Sequence, residues 1–131
     1  MERLRLAGAA DVLRVVDMIE ELRAAVNGPV PVDRSWTART VVGLIADPDG
    51  AVWVSGGGFI AGHIHPTIIN PAPVAFEMGW YASDGSGLRL LRVFEKWAAE
   101  RGATAVQLST GAGGLDLARL GYRLTEQAWV K

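Results

Sequence analysis

The chain has 131 residues, 50% of them hydrophobic, with 13 basic and 14 acidic side chains, a formal net charge of -1 and no cysteine. That length can close one core and is read as a single domain, 1–131, while the near-neutral charge, with its bases scattered along the chain, argues against a nucleic-acid partner. Without cysteine there is no disulfide framework, thiolate zinc site or cysteine nucleophile, and without a long apolar run neither a signal peptide nor a membrane span is expected. A soluble protein of the cytoplasm, with no membrane partner, is expected.

Arg3-Leu4-Arg5-Leu6 alternates as a first strand would, and Ala9 to Val26 switches to helical spacing, with Val12, Val15, Val16, Ile19 and Leu22 on one face. Gly28 supplies left-handed geometry to end that helix, and Pro29 and Pro31 follow. Ser35 is read as the cap of a second helix from Trp36 to about Ala46, before the turn Asp47-Pro48-Asp49-Gly50. A short strand, Ala51 to Val54, leads through Gly56-Gly57-Gly58 into Phe59 to His65, with a continuation to Ile69 expected. After Asn70-Pro71-Ala72-Pro73 comes a third strand of this antiparallel meander, Val74 to Tyr81, then a glycine turn and an amphipathic helix from Leu88 to Arg101. Gly102 caps that helix, Thr104 to Leu108 reads as a strand parallel to its predecessor, Leu115 to Leu120 as a short helix, and Tyr122 to Val130 as one or two final strands. The order predicts an α/β chain with a mixed sheet, antiparallel early and parallel around the glycine turn, with helices on both faces.

Four groups of residues carry candidate chemistry. Asp84-Gly85-Ser86-Gly87-Leu88 joins a strand to a helix, where glycine backbone and unsatisfied helix amides can hold a phosphate; tight turn geometry alone is the rival reading. Glu77 is a carboxylate on a strand expected to be central, so burial would raise its pKa and suit it to act as a general base; a salt-bridged surface glutamate is the alternative. His63 and His65 share a strand face and could bracket a substrate amine, although solvent-exposed strand residues are the favoured reading; with no third ligand evident nearby, no metal is expected. Trp36, on the second helix, is a candidate substrate contact or a packing anchor, and Tyr81 a candidate cofactor contact, substitute acid or packing residue.

The element order, together with Gly85-Ser86-Gly87-Leu88-Arg89-Leu90-Leu91, Glu95-Lys96-Trp97-Ala98-Ala99-Glu100-Arg101-Gly102-Ala103, Arg119-Leu120-Gly121-Tyr122 and Trp129-Val130-Lys131, resembles the GNAT superfamily of acyl-CoA-dependent N-acetyltransferases. Small members encoded by bacteriophages, with a counterpart of Glu77-Met78-Gly79-Trp80 before the turn, look most similar. The resemblance implies acetyl-CoA as cosubstrate, its pyrophosphate held by the amides of Gly85, Ser86, Gly87 and Leu88 with Arg89 near enough to assist, and its thioester polarised by an amide among Met78, Gly79 and Trp80. It implies direct transfer to a small amine or a protein amino group, with Trp36 on the helix that shapes the acceptor side; Glu77 and Tyr81 are the candidate catalytic residues and His63 and His65 candidate substrate contacts. The family's motif arginine or glutamine is replaced by Ala82, and its usual tyrosine acid by Leu117. Those departures support an alternative, a catalytically idle binding or structural protein such as a phage-particle component; dimerisation is common among relatives.

Overall fold

A computed structural model describes residues 3–131; Met1 and Glu2, part of the opening read above as free of a signal peptide, lie outside the described residues. After a short strand β1 (Arg5–Leu6) and a 3₁₀ turn at Ala9–Asp11, α1 spans Val12–Val26 and α2 Arg34–Ala46. The strands β2 (Gly50–Val54), β3 (Gly58–His65) and β4 (Val74–Ala82) follow, then α3 (Gly87–Glu100), β5 (Val106–Gln107) and a 3₁₀ turn at Ala118–Leu120. The five strands lie in sequence order; every pair from β1 to β4 is antiparallel, and β4 pairs with β5 in parallel.

Strand alternation divides the interior into two cores. Val52, Val54, Phe59 and Ala61 face α1 and α2, whose Val15, Val16, Met18 and Val41 are buried against them. Ala51, Trp53, Ile60 and Ile64 face α3 on the other side, where Leu90, Leu91, Phe94 and Ala98 recur at helical spacing. Phe94 seats directly on Gly62: a side chain there would bring its Cβ within 2.6 Å of both the Phe94 ring and the Phe76 carbonyl, so only glycine permits this approach.

Several local expectations are corrected. Asn27, not Gly28, takes the left-handed conformation that ends α1 (φ 54°), which a short polar side chain tolerates. Asp33, not Ser35, caps α2, because its carboxylate accepts the Trp36 amide at 3.0 Å. β3 stops at His65, before Pro66, and Ile68 and Ile69 are exposed in a loop. The helix expected over Leu115–Leu120 is only the 3₁₀ turn Ala118–Leu120, ended by Gly121 at φ 88°. Tyr122 to Val130 forms no strand: Tyr122 packs on the α3 core and Glu126 accepts from the Gln107 side chain at 3.2 Å, but Leu124, Trp129 and Val130 are exposed and the stretch has no ladder partner.

One irregularity positions the site. Ala61 pairs with Gly79 but Gly62 pairs with Glu77, so Met78 is the extra residue of a β-bulge. The bulge reverses strand parity: Ala75 belongs to the α3 core, whereas Gly79 lies against Phe59 and Tyr81 packs on the α1–α2 core. Beyond it, β4 and β5 have already parted, since their register is Ala75 with Val106 and Phe76 with Gln107.

Candidate active site

The turn from β4 into α3 has two sides. Behind it, the Asp84 carboxylate accepts from the Ser55 hydroxyl (3.1 Å), the Gly57 amide (2.8 Å), the Ser86 amide (3.1 Å) and the Ser86 hydroxyl, tying the turn to the β2–β3 hairpin. The Ser86 side chain is wholly buried and lies 2.7 Å from the Ser55 hydroxyl. These donors, the Ser86 hydroxyl first, hold Asp84 well below the usual carboxylate pKa. In front, Gly85 adopts φ +80° and Gly87 opens the helix with space where a Cβ would stand, 3.7 Å from Ala82. The first bond into the helix is Leu90 N–H to Ser86 carbonyl at 2.9 Å, so the amides of Gly87, Leu88 and Arg89 precede it and are available to an anion. Ser86 offers least, since its amide and hydroxyl are both engaged within the turn.

Those glycines open onto a cleft of about 590 Å³. One wall is Trp80, Tyr81 and Ala82 of β4; the other is the segment Ser109 to Leu115, and Leu22, Ala25 and Val26 of α1, with Asn27 that ends it, lie along it. The cleft exists because β5 leaves β4 after two residue pairs. The Trp80 indole N–H donates to the Gly87 carbonyl at 3.0 Å and fixes the β4 wall to the helix start. Gly111 packs so closely on Val26 that a Cβ would lie 3.0 Å from it, joining the second wall to α1.

Glu77 stands where the strands part. It is partly buried, and its Oε1 accepts the Ser109 amide at 2.9 Å, at the first residue of the far wall. Burial pushes its pKa up to about 7, against the opposing pull of the Ser109 amide. Next to it the bulged Met78 is half exposed, and Gly79 is buried with no room for a side chain, its Cβ position being 2.9 Å from the Phe59 ring. The β4 edge facing β5 carries no ladder from Glu77 onward.

The predicted site residues therefore separate into two groups. Trp80, Tyr81, Gly85 and Gly87 line the cleft, Glu77 adjoins it through Ser109, and Leu88 and Arg89 are exposed on the first turn of α3. Trp36, His63 and His65 lie outside the cleft lining. The Trp36 ring is exposed under the Arg39 guanidinium, 5.8 Å from its centroid. His63 is held by Asp47, and His65 stacks on Phe76. Sequence reasoning did not find the part played by Asp84, although an aspartate two residues before a serine is a recognisable turn former. The roles of Ser109 and the end of α1 leave no local mark, because they arise from contacts between distant segments.

No protein-family model matches the chain, and no curated protein matches it in sequence. Solved structures do match in shape. A predicted acetyltransferase from Clostridium acetobutylicum, solved with acetyl-CoA, superposes with a TM-score of 0.81 at 18% identity, covering 100% of this chain and 95% of that one. A putative acetyltransferase from Arthrobacter sp. gives 0.72 at 24% identity over 100% and 91% of the two chains. A GNAT family acetyltransferase from Staphylococcus aureus gives 0.68 at 15% identity over 100% and 98%. Mixed sheet, parallel β4–β5 pair and flanking helices together make this the fold of the GNAT acetyltransferases.

Proposed function

We propose that the protein is an acetyl-CoA-dependent N-acetyltransferase that passes the acetyl group directly to the amine of a small molecule or a protein. The observation that carries this reading is the cleft itself: an anion-ready helix start at one end, an unladdered strand edge along it and a carboxylate titrating near neutrality where the strands part. The amides of Gly87, Leu88 and Arg89, with the flexible backbone of Gly85, would hold the pyrophosphate of acetyl-CoA. A backbone N–H between Met78 and Trp80, on the edge β5 does not cover, would polarise the thioester carbonyl. Glu77, as its carboxylate, would take a proton from the ammonium form of the acceptor, directly or through water, so that the neutral nitrogen can attack. Tyr81, which lines the β4 wall, would protonate the departing thiolate. No metal is needed for these steps, and no cysteine is present to carry the acyl group.

A second reading, a catalytically idle binding or structural protein with this fold, draws on Ala82 and Leu117, which stand where the family has its motif arginine or glutamine and its usual tyrosine. A phage-particle role belongs to that reading. Turnover decides between the two: incubation with acetyl-CoA and a panel of primary amines should release CoA at a rate that falls in Glu77→Gln. Binding of acetyl-CoA without CoA release to any amine, peptide amines included, would favour the idle fold.

A further inference from the structure

A second group of chemically active side chains lies at the end of β3 far from the glycine turn. His63 and His65 stand two residues apart on one strand, and their Nδ1 atoms approach to 3.1 Å. Each ring is held by a different restraint. The Asp47 carboxylate lies 2.9 Å from His63 Nε2, and Asp47 is itself fixed by the Asp49 amide at 2.8 Å. The His65 ring stacks on Phe76, with centroids 4.3 Å apart and planes 15° apart. An ionised carboxylate only accepts, so His63 carries a proton on Nε2 and, when neutral, presents a lone pair at Nδ1. In the hydrogen-bonded pair, the proton between the two Nδ1 atoms then belongs to His65.

The two Nδ1 atoms are close enough for a single ion to touch both. We propose that His63 and His65 bind a divalent late-transition-metal ion, copper(II) or nickel(II), through their Nδ1 atoms, with Asp47 as the outer carboxylate that orients His63. With metal–nitrogen bonds of about 2.0–2.1 Å, the observed separation corresponds to an angle at the metal of roughly 95–100°. That suits adjacent positions of a square or octahedral shell better than a tetrahedral one, and imidazole favours copper and nickel within the divalent series. Loading requires the Nδ1 proton of His65 to leave, either to Nε2 of the same ring through solvent or, from an imidazolium, to bulk water. His63 keeps its Nε2 proton on Asp47, an outer-shell carboxylate of the kind that fixes the tautomer of metal-bound histidine. Among the described residues no third His, Cys, Asp or Glu joins a ligating group, so water completes the shell.

The test is titration of the full chain with copper(II) near neutral pH, followed by calorimetry and electron paramagnetic resonance. One equivalent should bind, with nitrogen hyperfine structure from two imidazoles. His63→Gln and His65→Gln should each weaken binding by at least about tenfold, and Asp47→Asn by about 10–100-fold. Circular dichroism of each variant separates loss of the site from loss of the fold. Wild-type binding no tighter than that of the double histidine variant, or an all-oxygen spectrum, would overturn the assignment and leave a hydrogen-bonded Asp–His–His chain.

Discussion

On the β4 side of the cleft, one carboxylate gathers four hydrogen bonds and locks the glycine turn to a neighbouring hairpin, with a fully buried serine at its centre. On the facing side, the chain from Leu108 onward folds mainly on itself, through turns such as Gly114 to Gly111 and Leu120 to Leu117. It meets the rest of the molecule by packing Leu108, Leu120 and Tyr122 on the α3 core and Gly111 on Val26, by the Tyr122 hydroxyl donating to Glu95 at 2.7 Å, by the Gln107 side chain donating to Glu126 at 3.2 Å, and by the Ser109 amide on Glu77. Under the proposed function the two sides have separate tasks. A phosphate cradle built of backbone amides must hold its geometry before the ligand arrives, because each amide loses its value once misdirected. A wall that admits varied acceptors can be held by a few anchors and leave its outer residues exposed.

The comparison can be broken most forcefully at the shared floor. Phe94→Ala removes the ring seated on Gly62 and should cost about 3–5 kcal/mol of stability, read by denaturant unfolding; a loss below 1 kcal/mol would mean that α3 does not anchor the cradle. Next comes Glu77→Gln, which should lower acetyl transfer by about 100-fold or more while leaving acetyl-CoA affinity nearly unchanged. In the wild type, kcat/KM should rise as pH passes through about 7, since the carboxylate is the active form, and this rise should vanish in the variant. The same residue links to folding with a definite sign. Its pKa is raised in the folded state, so its favourable contribution is complete below the ordinary glutamate pKa and is lost as pH climbs to about 7. The loss is of order 3 kcal/mol, and Glu77→Gln should flatten this part of the stability profile.

A smaller effect is expected at the turn. Asp84→Ala leaves Ser55, Ser86 and the Gly57 amide without their acceptor and should cost about 1–3 kcal/mol, with weaker acetyl-CoA binding. Asp84 has a depressed pKa, so its contribution is present above the ordinary aspartate value and is lost only in strong acid. Least of all should be Trp129→Ala on the exposed tail, within about 0.5 kcal/mol in unfolding experiments. A large loss there would show that the tail packs on something and would remove the contrast between the walls.

What could be read from the residues, and what could not, follows the range of the interactions. α3 was legible because Leu90, Leu91, Phe94 and Ala98 recur on one face, and the turn before it because glycines between a strand and a helix are a local signal. The β-bulge at Met78 was not: it is defined by a register shift against β3, and methionine carries no mark of it. The final strands were overread for a related reason, since alternation in Tyr122 to Val130 says which way side chains could point but not whether a partner edge is within reach. The Asp47–His63 contact joins a turn to a strand 16 residues later, beyond any spacing rule.

Calorimetric titration with acetyl-CoA, comparing the intact chain with Gly87→Trp, tests the central claim most directly. The account predicts micromolar-range binding that weakens at least about tenfold when a bulky side chain fills the space in front of the helix amides, with the fold intact by circular dichroism. No binding by the intact protein, or equal binding by the variant, would contradict it.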